Sequence, residues 1–121
     1  MGRLKQELLD RTDSFADRVL DVVEVLEGQR RWGWLRDQLG RAGASVGANA
    51  VEADQAMSRS DFCKCLGVSA KEASETRYWL RRLAGRGWIK PGRLAPLEAE
   101  AFELQRIFAS MISRTRRTSK A

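Results

Sequence analysis

The stretch that decides the fold runs from Gln38 to Leu83, QLGRAGASVGANAVEADQAMSRSDFCKCLGVSAKEASETRYWLRRL. Its first half is small, glycine-rich and almost uncharged; its second half is charged, aromatic and closes on an arginine pair. Stripe residues recur through it at alternating spacings of four and three, the pattern of helices that bury one face against their neighbours. Leu35, Leu39, Ala42, Val46, Asn49, Ala53 and Ala56 form one stripe. Phe62, Leu66, Ser69, Ala73, Thr76, Leu80 and Leu83 form the next. Between them Ser58-Arg-Ser-Asp61 has the spacing of a capping box, so the stretch reads as two antiparallel helices.

The same pattern continues on both sides. Upstream it is Leu8, Thr12, Phe15, Val19, Val22 and Leu26, followed by Gly28 as a natural stop. Downstream, Gly85-Arg-Gly87 ends the third helix, and the segment from Trp88 to Pro96, with both prolines, reads as one long loop. A fourth stripe follows at Leu97, Ala101, Leu104, Phe108, Met111 and Thr115. Glu98 and Glu100 fall in its first turn and Arg114, Arg116 and Arg117 in its last, as the helix dipole favours. The expected fold is all-α: one antiparallel up-down-up-down bundle over residues 1–121, with helices at about 3–28, 33–56, 59–85 and 95–117 and a frayed tail from Thr118.

Composition narrows the chemistry. The chain has 121 residues, 22 Lys+Arg against 16 Asp+Glu, and a net charge of +6, an excess that favours acidic partners, nucleic acid first. Histidine is absent, which removes the commonest general base and metal ligand. Cys63 and Cys65 stand two apart on a helix, about 200° around its axis, where they neither bridge nor chelate together. No apolar run reaches membrane-spanning length and no signal-peptide core opens the chain, so a cytoplasmic protein is expected.

The faces opposite the stripes differ from helix to helix. On the first, Asp10, Asp13, Asp17, Asp21, Glu24 and Glu27 make an acidic ridge interrupted by Leu20. On the second, Gly40, Ala44, Gly47, Ala48 and Val51 are small or apolar, with Gly43 to one side. Each helical glycine costs about 1 kcal/mol against alanine unless packing offsets it. That face is therefore expected to be a subunit interface, where another backbone comes close. Asn49, inside the stripe, is expected to fix register in the core. The third helix turns Lys64, Val68, Lys71, Tyr78, Arg81 and Arg82 outward, with Arg77 and Trp79 beside the seam and Lys71 spaced to pair with Glu75. An outward tyrosine among arginines suits an oligomer contact or base stacking with phosphate neutralisation. From Arg30 to Arg93 there are thirteen basic and six acidic side chains, whereas up to Gln29 there are four and seven. Subunits meeting acidic face to basic face would account for that asymmetry without nucleic acid.

The run QLxRxxxSVGANxxEAxxAxSxxDF, followed by KEASETRYWLRRL, resembles the bacterial four-helix-bundle family known as 23S ribosomal RNA intervening-sequence proteins. The family also includes the accessory variability determinant of diversity-generating retroelements. The resemblance spans almost the whole chain and is strongest from Gln38 to Leu83. Matching positions include Gln38, Arg41, Ser45, Gly47, Asn49, Glu52, Asp61, Glu72, Glu75, Tyr78 and Trp79. The sequence departs from the family pattern at Gly40, Ala42, Ala44 and Cys65, the last standing where lysine is frequent. The resemblance implies a ring-like homopentamer and no catalytic activity. For the retroelement members it implies binding to a reverse transcriptase and to nucleic acid.

The expected function is thus a non-enzymatic oligomeric bundle without cofactor or metal. It binds nucleic acid or a nucleic-acid-processing partner through Lys64, Lys71, Arg77, Tyr78, Arg81 and Arg82. The alternative is a protein-interaction ring with no nucleic-acid role. An enzyme would have to draw on Arg41, Asn49 and Glu52, with no histidine or phosphate-binding glycine loop to help.

Overall fold

Four helices in sequence, α1 (Gln6–Gly28), α2 (Gly33–Asp54), α3 (Arg59–Gly85) and α4 (Pro91–Lys120), make up the computed structural model. It describes residues 2–120, the last two by backbone alone. Each helix packs on its chain neighbour, α4 closes more thinly on α1, and among the described residues the backbones of the diagonal pairs do not come close. With connections this short, that is the up-down-up-down bundle the stripes require. The core is built from Phe15, Val19, Leu39, Val46, Leu66, Leu80, Leu104 and Phe108, all fully buried.

Polar stripe residues are absorbed rather than tolerated. Thr12 donates to Leu9 O at 2.7 Å and Thr76 to Glu72 O at 2.8 Å, each within its own helix. Ser69 donates across the core to Val46 O at 2.9 Å and so ties α3 to α2. Ser58 caps α3 as its spacing predicts, its hydroxyl accepting from Asp61 N at 3.1 Å.

The glycines of α2 act inside the chain. A Cβ on Gly43 would stand 2.6 Å from Val19 of α1, and one on Gly47 would stand 3.6 Å from Thr12 O. The backbone that these small residues admit is therefore α1 of the same molecule, which corrects the outward placement of Gly47. Gly40, half-buried, also faces α1, at Leu20 and Val23. Burying Ala42 and Val46 as well as Gly43 and Gly47 widens the inner face of α2. The next buried position is then Ala50 rather than Asn49. Asn49 is half-buried and donates to Ser45 O at 2.9 Å and to Ser45 Oγ at 3.0 Å, within its own helix. The cross-helix register bond expected of it is made by Ser69 instead.

The last connection is shorter than the two prolines suggest. α4 begins at Pro91, whose fixed φ and missing N–H suit the first helical position, and Pro96 lies inside the helix. Leu94 is buried in the turn read as loop, so packing secures the early start. Glu98 and Glu100 consequently fall beyond the first turn. The tail is helical to Lys120, and Ala121 lies outside the described residues.

Candidate functional site

Two helix ends of the same design meet at one end of the bundle. After α3, Gly87 takes φ +70°, Gly87 N donates to Ala84 O and Trp88 N to Leu83 O, the paired bonds of a Schellman cap. After α1, Arg30 takes φ +58°, Arg30 N donates to Glu27 O and Arg31 N to Leu26 O. The helix thus runs through Gly28, and the left-handed residue is an arginine two positions later. Up-down topology brings the two caps side by side. The Arg31 guanidinium lies over the Trp88 ring, 4.2 Å from its centre, and Gln29 Nε2 donates to Trp88 O at 2.9 Å.

From this joint a chain of rings crosses the end of the molecule. Trp88 meets Trp32 edge to face at 5.4 Å, Trp32 stacks on Trp34 at 5.8 Å and 12°, Trp34 meets Trp79 at 6.0 Å, and Trp79 meets Tyr78 at 5.2 Å. All four tryptophans and the single tyrosine of the sequence are in it. Trp32, Trp34 and Tyr78 remain 51%, 57% and 55% exposed. Arg86 lies over both Trp32 and Trp88, and Arg82 over Tyr78. Among the described residues Arg31, Arg82 and Arg86 have no carboxylate within ion-pair distance, so rings rather than acids hold them.

The surface expected along α3 divides. Lys64, Lys71, Tyr78 and Arg82 are exposed and share one face, but Lys64 and Arg82 are about 27 Å apart along the axis. Arg77 and Arg81 turn toward α4, Arg77 over the Phe102 ring at 4.8 Å and Arg81 4.0 Å from Glu98. Only Tyr78 and Arg82 of the expected set join the aromatic end. The sequence places Trp79 beside the seam and Trp88 at the start of a loop, and up-down topology applied to the four tryptophan positions is the signal that gathers them with Trp32 and Trp34.

Several motif residues converge on the α2–α3 seam. Arg41 bridges Glu72 at 3.2 Å and Glu75 at 2.7 Å and also donates to Gln38. Trp79 Nε1 donates to the same Glu75 oxygen at 3.3 Å, so Glu75 pairs across the helices and not with Lys71. Arg41 is thereby engaged away from Asn49, and the polar pocket of Arg41, Asn49 and Glu52 is not assembled. Of the expected subunit face, Ala44, Ala48 and Val51 are exposed. Cys63 and Cys65 are free and half-buried, and burial pushes the Cys65 thiol up, aided by Glu52 and Asp61.

At the opposite end, where α1 and α4 part, a cleft of about 400 Å³ is floored by Leu8, Ile107 and Met111 and rimmed by Arg3, Lys5 and Arg114. Arg11 spans the seam nearby with two bonds to Glu100, at 2.6 and 3.1 Å, which holds its guanidinium charged. Among the described residues no cluster of three or more His, Cys, Asp or Glu is placed to hold a metal ion, and no helix is long and apolar enough to cross a membrane.

Comparison with known proteins places this architecture. The chain is similar to a solved structure of a protein of unknown function from the S23 ribosomal protein family of Bacteroides thetaiotaomicron VPI-5482. The two are 33% identical with a TM-score of 0.82, over 87% of this chain and 97% of the other. No curated protein matches. A family model described as 23S rRNA-intervening sequence protein matches residues 5–110, a span that holds the aromatic end and the Arg41 network alike. The chain belongs to the 23S rRNA-intervening sequence protein family.

Proposed function

We propose that the protein is a non-enzymatic, cytoplasmic, oligomeric bundle that binds nucleic acid or a nucleic-acid-processing partner such as a reverse transcriptase. The observation that carries this reading is the set of arginines held on rings and free of carboxylates. A guanidinium stacked on an aromatic face is positioned while its N–H groups stay available to phosphate. Lys64 and Lys71 extend the positive face along α3. Such contacts release counterions, so affinity falls steeply with salt. Filter binding at low salt should retain RNA or DNA and lose it as salt rises; no retention would refute direct binding.

A second reading, a homopentameric ring without a nucleic-acid role, is favoured by the exposed Ala44, Ala48 and Val51 on α2 and by the exposed acidic ridge from Asp10 to Glu24 on α1. Small side chains allow close approach, and the ridge complements the basic residues of α3. Charge reversal at Arg81 and Arg82 should then break the assembly, and an unchanged oligomer would count against this reading. Light scattering on the purified chain tests assembly under both readings. A monomer at micromolar concentration would remove the oligomer from each.

A further inference from the structure

We propose that the aromatic end selects unpaired bases: Trp32, Trp34 and Tyr78 form a stacking platform for a single strand whose phosphates are met by Arg31, Arg82 and Arg86. The inference rests on the nucleic-acid reading above and narrows it to one ligand class and one place. The chemistry of the surface singles out that class. A duplex keeps its base faces inside the stack and offers phosphates alone, for which exposed indole rings do nothing. A single strand offers both flat faces and phosphates, and each base can stack on a ring regardless of sequence.

The geometry matches that demand. Five rings run in unbroken order with centres 5.2 to 6.0 Å apart, the half-buried Trp79 linking exposed Trp34 to exposed Tyr78 and the half-buried Trp88 backing Trp32. The three most exposed rings are anchored at fixed points: Trp32 is the N-cap of α2, Trp34 lies in its first turn, and Tyr78 sits on α3. The two Schellman caps fix the backbone at Arg31 and Arg86, and the rings beneath them place their guanidinium groups before a ligand arrives. A platform that needs no ordering keeps more of its contact energy as affinity. Exposed tryptophan is costly in water, and Trp32 and Trp34 stack on each other with more than half of each still uncovered. The bundle does not need them for its core, which is filled by Leu80, Leu83 and their neighbours. A second copy of the chain on the same rings is the competing occupant; it could set its acidic α1 ridge against these arginines, which have no carboxylate of their own, but would leave the stacking faces without a use that charge alone requires.

The test is fluorescence anisotropy at low salt with the full chain. The probe is a labelled RNA of about 12 nucleotides, free and as its duplex, with DNA of the same sequence in parallel. The single strand, as RNA or DNA, should bind at least about tenfold more tightly than the duplex. Trp34→Ala should weaken single-strand binding roughly five- to hundredfold and leave duplex binding unchanged. Trp34→Phe, which keeps a ring, should recover most of the loss, and circular dichroism should show both variants folded. Equal binding of strand and duplex, untouched by Trp34→Ala, would overturn the platform while leaving the nucleic-acid reading standing. Absence of binding to either would remove both. If Trp34→Phe loses as much as Trp34→Ala, stacking is refuted. If Trp34→Ala changes the oligomeric state and spares single-strand preference, the rings are an interface between copies and the proposal fails.

Discussion

Replacing Gly43 by alanine tests the internal role of the α2 glycines. The added carbon would stand 2.6 Å from Val19 Cγ1, 2.8 Å from its Cβ and 2.9 Å from its Cγ2. Val19 is fully buried, and because its Cβ is itself too close, no rotamer change relieves the contact. α1 and α2 must part. Overpacking of this kind costs about 1–3 kcal/mol, and the upper end applies where backbone has to shift. Alanine returns about 1 kcal/mol of helix propensity, leaving a net loss of about 2 kcal/mol. At about 4 °C per kcal/mol for a domain of this size, the midpoint of thermal unfolding should fall by roughly 8 °C. Circular dichroism at fixed protein concentration measures it. Gly67→Ala is the internal control: its added carbon meets nothing within 4 Å, so propensity alone acts and stability should rise by up to about 1 kcal/mol. Val19→Ala should cost less in the Gly43→Ala background than alone, because the two side chains share one space. A Gly43→Ala protein as stable as the parent would refute the claim that this glycine sets the approach of α1.

Three further outcomes follow from single residues. Arg30→Gly should stabilise by about 1 kcal/mol, since glycine takes the left-handed conformation without the penalty an arginine meets at φ +58°; urea denaturation would show it. Arg41→Ala should cost about 1 kcal/mol, because buried Glu72 and half-buried Glu75 lose their common cation, although the half-exposed arginine keeps the loss small. Glu72→Gln should reduce that penalty. For Cys65, a raised thiol pKa means less thiolate at any given pH, so its alkylation should reach half-maximum above the pH of an ordinary thiol, about 8.5; peptide mapping after iodoacetamide treatment reads this site alone.

Periodicity made most of the bundle legible. The stripes of α1 and α3 include every buried residue of those helices but Glu72, because their buried positions carry side chains that periodicity can register. α2 defeated the same reasoning because its contact with α1 is made through glycines. Glycine carries no hydrophobic signal, so Gly43 and Gly47 looked like surface when they were contact. A strict heptad continued along α2 reaches Asn49, whereas the wider buried face moves to Ala50. Two prolines suggested a loop, but one starts α4 and the other is carried within it. The aromatic end was hidden for another reason. Its rings lie at 32, 34, 78, 79 and 88, and only the pairing of helix ends brings them together.

The phosphate role of the ring-held arginines is tested by the salt dependence of single-strand binding. Each phosphate neutralised contributes about −0.7 to the slope of log affinity against log salt. With Arg31, Arg82 and Arg86 engaged, the slope should be roughly −2, and Arg86→Ala should make it shallower by about 0.7. A slope near zero, or one that Arg86→Ala leaves unchanged, would contradict it.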